Sequence, residues 1–356
     1  WPLSIENPKP MRTVILSFSH HGDGMGRRAR ALGHEVVGAF DPVEAERANM
    51  ADSYGCPVFD NPIECLEATR PDVALVSGRH TLAPSYLQAC LDVGVPYLFD
   101  KPWADCAARL RPAAEASEAA NHWGTPTLPN EEMKINEILR QLRADGTFGE
   151  LVHFYCRLST ATPARYDDTP SAWHNDPSIS GGGCWAIECQ HGIGTLLDFA
   201  GDQPIAVVAG VLSNATHKRP FEDYAAGLFR IGDGATALIE ATYHAPLGDN
   251  ATGDYVVRAI GTKATVVSHY GSDYEPEVQI HRGEGSTRVD EVPRGDLFGI
   301  TIQRNLDALA AGNPPPSPIG KAVRILELQD AVYDLARSSA ATNGPHPMAD
   351  PAPRPA

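Results

Sequence analysis

Short apolar runs alternate with helix-length stretches over the first third of the chain. Residues 13–18, 35–40, 58–59, 72–77 and 97–99 predict buried strands, because each is brief, mostly apolar and bounded by polar or turn-forming residues. Residues 27–32, 42–54, 62–69, 84–93 and 107–120 predict helices between and after them. Strands alternating with helices imply right-handed crossovers and a parallel sheet. Ligands on such sheets collect at the carboxyl ends of the strands. Those ends carry polar residues here: Ser17 to His21, Asp41, Ser77 to His80, and Asp100 with Lys101. Beyond residue 130 the pattern changes. A helix over 131–143 precedes longer alternating runs at 151–158, 205–211, 225–231, 235–243, 255–260, 264–269 and 277–281. These predict a largely antiparallel sheet with turns at Gly232-Asp233-Gly234 and Gly261-Thr262. A last helix is expected over 321–338.

One helix interrupts those strands and should pack on one face of their sheet. Residues 181–201 read GGGCWAIECQHGIGTLLDFAG. Glycine costs about 1 kcal/mol per helical position relative to alanine, so the triplet predicts a tight loop that lets backbone approach something closely. The helix that follows carries Ile187, Glu188 and His191 on one face, and Gly201 closes it. The segment can be the wall of an active site, or an amphipathic helix whose His191 is a satisfied core histidine.

Composition narrows the partners. The chain has 356 residues, 42% of them hydrophobic, which suits two domains with a good core. Lys and Arg total 29 against 45 Asp and Glu, a formal charge of −16. That field repels nucleic acid and anionic membranes and admits a neutral or cationic small molecule. No apolar run approaches a membrane span. Seven scattered cysteines without a CxxC pair fit a reducing, cytoplasmic setting. Residues 1–10 read as an added or disordered prefix before a native start at Met11, and 341–356 as a disordered tail.

Three places carry chemistry. The first strand-to-helix turn, SFSHHGDGMG, stands where a dinucleotide fingerprint would place GxGxxG. Two registers compete: Ser17-x-Ser19-x-x-Gly22 keeps the spacing, and Gly22-x-Gly24-x-Gly26 keeps the glycines. A plain loop is the alternative. Asp41 follows by the interval expected of the acid that holds the NAD ribose, which favours NAD over NADP. It can equally cap the helix beginning near Pro42. Asp100-Lys101-Pro102 ends a buried strand, where a lysine is costly unless its ammonium meets a polar site, although a Lys-Pro pair is often a simple turn. His20, His21, His80, His174, Glu188, Cys189 and His191 form no close helical ligand pair, so no metal site is assigned.

Together these segments resemble the glucose–fructose oxidoreductase / inositol dehydrogenase / MocA-like family over residues 12–338. The resemblance rests on Asp41-Pro42, Ser77 to His80 and Phe99-Asp100-Lys101-Pro102, where the family has Glu-Lys-Pro. It continues through Asn130, Phe148-Gly149-Glu150-Leu151-Val152, Trp173 with Asp176, and the glycine triplet with His191. It implies an N-terminal Rossmann-like parallel-sheet domain over 11–130. A C-terminal, largely antiparallel open-sheet domain for substrate and oligomerisation would span 131–340, in an α/β plus α+β chain. It further implies an NAD-dependent oxidoreductase acting on a secondary hydroxyl or ketone of a sugar, cyclitol or sugar derivative. The cofactor set would be Ser17, Phe18, Ser19, His20, His21, Gly22, Asp41, Ser77, His80, Asp100, Lys101 and Asn130. The substrate set would be Lys101, Asn130, Trp173, His174 and His191. Lys101 would polarise the hydroxyl and His191 take its proton, with Glu188 a third catalytic candidate. A homodimer or homotetramer is implied as well. The chain departs from the family at Ile187, where an aspartate usually stands four residues before the histidine. It departs also at Cys189, at the serine-containing nucleotide loop and at Asp100. These departures keep open a lyase, hydrolase or epimerase on a sugar, metal-assisted or not, and a non-catalytic relative.

Overall fold

The structure is a computed structural model that describes residues 10–19, 21–243, 253–271, 274–289 and 296–343. His20 and most of the 1–10 prefix lie outside the described residues, as does the tail beyond Asn343. The chain divides into two compact units.

The first unit holds the described residues through Leu128 together with Asp296–Arg324. Its elements run β1 (Arg12–Leu16), α1 (Gly22–Ala31), β2 (Glu35–Phe40), α2 (Glu44–Tyr54), β3 (Val58–Phe59) and α3 (Pro62–Thr69). Next come β4 (Val73–Val76), α4 (Ala83–Val93), β5 (Tyr97–Asp100), α5 (Ala107–Ala119) and β6 (Gly124–Thr127). The strands pair in parallel in the order β3-β2-β1-β4-β5-β6. Strand order therefore reverses between β1 and β4, the crevice where ligands of such sheets bind. Continuous apolar runs form these strands because both faces are covered. Ile15, Val36, Ala39 and Met50 pack together as one cluster, and Val73, Leu75 and Leu98 pack with Met25 and Ala29 of α1 as another.

Two differences from the sequence pattern stand out here. Helix α1 begins at Gly22 and contains most of the helical stretch read at residues 27–32, so Gly22 and Gly24 lie in its first turn. The pattern also gave no element over 297–310 and assigned that region to the second domain. Instead α9 (Leu297–Ala310) returns to the first unit and seals its core with Ile302 and Leu306.

The second unit begins at Pro129 with a 3-10 turn (Pro129–Glu132) and α6 (Lys134–Ala144). Then come β7 (Leu151–Ser159), two 3-10 turns (Pro163–Tyr166 and Ala172–Asn175), α7 (Pro177–Ser180) and α8 (Cys184–Ala200). Strands β8 (Ile205–Ser213), β9 (Tyr224–Ile231), β10 (Ala235–Thr242), β11 (Asp254–Gly261), β12 (Thr265–Gly271), β13 (Tyr274–Arg282) and β14 (Gly285–Val289) follow. Helix α10 (Ile319–Asn343) closes the described chain, and its residues from Ile325 belong to this unit. The eight-stranded sheet runs β14-β13-β12-β11-β7-β10-β9-β8, antiparallel except for the parallel pair β7–β10. Alternate residues such as Phe154, Cys156, Phe229, Ala237 and Ile239 face inward and are buried, with α8 packed on β7, β9 and β10. The opposite face leaves Val208, Val211 and Leu228 exposed.

All seven cysteines are free thiols. Burial pushes the Cys65 and Cys156 thiols up to about 12, so they behave as small apolar groups. Among the described residues, no helix is long and apolar enough to cross a membrane.

Candidate functional site

The nucleotide loop is organised around one buried carboxylate. Ser17 takes a left-handed conformation, φ 74°, at the end of β1. Its Oγ donates to Asp41 Oδ2 at 2.8 Å, and the Phe18 amide donates to the same oxygen at 2.9 Å. Asp41 Oδ1 accepts the Val43 amide at 2.9 Å. Asp41 is thus fully buried with both oxygens engaged. The geometry makes it a clamp between loop and helix entry, close to the capping alternative. Ser19 Oγ lies 3.3 Å from Ser17 Oγ.

These contacts choose between the two registers. A left-handed residue is ordinarily glycine, and Ser17 fills that first-glycine place with its hydroxyl bonded inward. Gly22 is the close-packing glycine: a Cβ there would sit 1.9 Å from the Ser17 carbonyl oxygen. The pattern in force is therefore Ser17-x-Ser19-x-x-Gly22, with Ser19 in place of the second glycine.

At the neighbouring strand ends, the His21 amide donates to Ser77 Oγ at 3.4 Å. The His21 ring reaches Asp100 Oδ2 through Nδ1 at 2.7 Å, and Thr127 Oγ1 donates to Asp100 Oδ1 at 3.1 Å. His21, Ser77 and Asp100 therefore come together over the ends of β4 and β5. His80 and Lys101 are buried at the same edge, and the Lys101-Pro102 peptide is cis.

In the second unit the glycine triplet meets a definite partner. A Cβ on Gly182 would lie 2.0 Å from the Tyr333 hydroxyl, and one on Gly183 would lie 2.1 Å from the Glu222 carbonyl oxygen. Glu222 Oε1 accepts the amides of Gly183 (2.8 Å) and Trp185 (3.0 Å) and the Tyr333 hydroxyl (2.6 Å). A buried carboxyl from before β9 thus caps α8, whose own N-cap, Gly183, has no side chain to do so. Burial pushes the Glu222 carboxyl up, although its three donors oppose this. The close approach anticipated for the triplet is therefore made by the protein's own Glu222 and Tyr333.

Helix α8 carries Ile187, Glu188 and His191, all buried. Glu188 Oε1 receives Arg165 Nη2 at 3.2 Å, and the same nitrogen donates to the Tyr166 hydroxyl at 2.8 Å. The guanidinium lies over the rings of Tyr166 (4.7 Å) and Tyr243 (5.8 Å). Tyr166 stacks on His174 at 4.3 Å, and His174 on Trp173 at 3.7 Å. His174 Nδ1 donates to the Ser171 carbonyl at 2.8 Å, which holds the ring in place. Trp173, His174, Tyr166 and Arg165 therefore form a stacked column ending on Glu188. The sequence pattern singled out Trp173, His174 and Glu188 and missed Arg165, Tyr166 and Tyr243. An Arg-Tyr pair in a loop has no periodic signature, and only folding brings it to the helix. Asn130 sits in the 3-10 turn, where its carbonyl accepts Asn136 Nδ2 at 2.8 Å. Among the described residues, no group of three or more His, Cys, Asp or Glu side chains is arranged to hold a metal.

A family model described as "Oxidoreductase family, NAD-binding Rossmann fold" matches residues 13–125, and "GFO/IDH/MocA C-terminal domain" matches 137–267. The chain belongs to the Gfo/Idh/MocA oxidoreductase family. It is an enzyme of that family, with an NAD-binding Rossmann domain followed by a mostly antiparallel sheet domain. No curated protein matches it significantly. Similar solved structures include levoglucosan dehydrogenase in complex with NADH and levoglucosan, at TM-score 0.79 and 16% identity, covering 93% of this chain and 98% of that one. Aldose-aldose oxidoreductase from Caulobacter crescentus, complexed with glycerol, gives 0.77 and 16%, covering 93% and 99%. An inositol dehydrogenase homolog from Azotobacter vinelandii, complexed with NAD+, gives 0.76 and 16%, covering 94% and 98%. At this identity the likeness is one of fold.

The residues present fit NAD. The first turn keeps the glycine cradle at Gly22, and the sheet keeps its β1–β4 crevice.

Proposed function

We propose that this enzyme oxidises a secondary hydroxyl of a sugar, cyclitol or sugar derivative, or reduces the corresponding ketone. Bound NAD would supply the hydride acceptor or donor. Ser17, Phe18, Ser19, His21, Gly22, Ser77 and Asp100 would shape its seat, with Asp41 holding the loop. Lys101, at the end of β5, would donate a hydrogen bond to the reacting oxygen and stabilise its developing negative charge. His191 would take the hydroxyl proton. The observation that carries this reading is the Arg165–Glu188 contact. It engages Glu188, the carboxylate three residues before His191 on α8, and leaves His191 to act as the base. Trp173 and His174 would order the substrate loop through the stacked column, and Asn130 would contact cofactor or substrate from its 3-10 turn. The sugar dehydrogenases among similar structures support the substrate class.

Purified enzyme should quench NADH fluorescence on binding and reduce NAD+ with some member of a sugar and cyclitol panel. Lys101→Ala and His191→Ala should each lower kcat by about 10²-fold or more while NADH affinity stays within about twofold. A panel with no turnover, or variants as active as the wild type, would overturn the proposal.

Ile187, buried where the family usually has aspartate, favours a second reading: lyase, hydrolase or epimerase chemistry on a sugar without net redox. A product of altered mass (lyase or hydrolase), or of equal mass and altered stereochemistry (epimerase), formed with no change in NADH absorbance would select it. The exposed face of the second sheet supports a homodimer or homotetramer, and the free thiols support a reducing, cytoplasmic setting.

A further inference from the structure

One carboxylate at the edge of the first sheet is held more firmly than a strand end requires. Asp100 is the last residue of β5, and its side chain is fully buried. Its Oδ1 accepts Thr127 Oγ1 at 3.1 Å, from the residue paired with it at the end of β6. Its Oδ2 meets His21 Nδ1 at 2.7 Å. Both oxygens serve as acceptors, as those of an ionised carboxylate do. His21 reaches over from the β1–α1 turn and is itself fixed. Its amide donates to Ser77 Oγ just after β4, and its ring lies 5.2 Å from the ring of Phe298 in α9. The His21 side chain keeps 37% of its surface exposed. The nucleotide loop and Asp100 are separate departures from the family pattern in the sequence, and in the fold they meet in this contact.

The strand order says which part of the cofactor this corner serves. In a sheet ordered β3-β2-β1-β4-β5-β6, the end of β2 serves the adenosine ribose. The ends of β4, β5 and β6 belong to the other mononucleotide half, which takes the nicotinamide. Ser77, Asp100 and Thr127 stand at those three ends, and His21 leans onto them. A charge without exposed surface is screened little by water and salt, so its field reaches its surroundings. The oxidised nicotinamide ring carries one positive charge and the reduced ring none. When a substrate hydroxyl is oxidised, its carbon gives a hydride to the ring and its oxygen gives a proton to the base, so the ring's charge is lost. A fixed negative charge on this half therefore acts on NAD+ and NADH differently.

We propose that Asp100, held in place by His21 and Thr127, is the counter-charge of the oxidised nicotinamide and sets how far this enzyme favours NAD+ over NADH. His21 and Thr127 act as positioning residues through Asp100. Lys101, the next residue, is buried at the same edge, and its ammonium opposes the carboxylate. Substitutions at Asp100 leave Lys101 in place, so the change they cause reads the carboxylate alone. The proposal rests on the NAD-binding assignment and is independent of the sugar chemistry.

The test compares the two redox forms of the cofactor on the same protein. NADH is titrated by its fluorescence, and NAD+ and ADP are measured by displacing it. Asp100→Asn keeps the shape and removes the charge. It should weaken NAD+ about tenfold more than NADH, the scale of one unit charge acting through an effective dielectric constant of about 20. ADP, which has no nicotinamide, should bind within about twofold of the wild type. Asp100→Glu restores the charge and should keep the wild-type ratio of NAD+ to NADH affinity within about twofold. His21→Asn keeps a donor for Asp100 and should not move the ratio toward NADH. If Asp100→Asn does not fold, Asp100→Ser is read in the same way. An uncharged variant with the wild-type ratio overturns the proposal. So does one that weakens NAD+, NADH and ADP alike, the result a merely structural carboxylate would give. A wild type that binds neither NADH nor ADP overturns the cofactor assignment itself.

Discussion

Glu222 shows how a single buried carboxyl can fix a helix at a candidate site. It contributes Oε1 to two amides of the α8 start and to Tyr333. Its folded pKa is raised by burial above the ordinary carboxyl value. The native state therefore binds this proton more tightly than the unfolded chain. That contribution is fully present below the unfolded pKa and is lost as pH rises through the raised folded value. Glu222→Gln keeps the Oε1 acceptor and removes the charge. Its melting temperature should match the wild type in acid and gain on it as pH rises from about 4.5 upward. Glu222→Ala leaves three buried donors without an acceptor and should destabilise by about 3 kcal/mol. Thermal melts across pH check both, and a wild type that gains on Glu222→Gln with rising pH would refute the assignment. Glu188, chosen from the sequence for its place three residues before His191, belongs with Arg165 in the same class of fixed buried groups.

At the scale of elements, the nucleotide turn and α8 follow one logic: backbone comes close because a side chain is missing. Gly22 lets α1 start against the Ser17 carbonyl. Gly22→Ala would push a methyl into backbone that has no rotamer to yield. It should destabilise the protein by about 2 kcal/mol or more and weaken NADH binding at least tenfold, read by melting and fluorescence titration. A variant with wild-type melting and affinity would show that the turn is not set by this contact. The alternation of strands and helices and the position of α8 were legible from periodicity, because burial imposes it. The start of α1 was not, since glycines inside a first helical turn look like a loop until the approaching backbone is seen. Helix α9 was missed as part of the first core, because its partners Met25 and Leu98 lie far from it in sequence.

Across the whole molecule, the second sheet is covered on one face by α8 and leaves apolar side chains on the other. Val208 and Val211 are 53% and 55% exposed, and Leu228 is 39% exposed. Exposed apolar groups clustered on one sheet face mark an association surface. Light scattering should find a dimer or tetramer, and Val211→Asp combined with Leu228→Asp should yield monomers that still bind NADH. A wild-type monomer would remove this face from consideration.

The sequence by itself determined the architecture, since runs of apolar residues and their period fix which backbone can be buried. It also exposed the strand ends where polar residues gather, and so pointed to Ser17, Asp41, Ser77, Asp100 and Lys101. Only the tertiary structure decided which partner each of them meets. Asp41 faces its own loop, Glu188 faces Arg165, and the glycine triplet faces Glu222 and Tyr333. Hydrogen bonds are short and directional, so they are settled by ångström-scale packing between segments distant in the chain, which no one-dimensional pattern records.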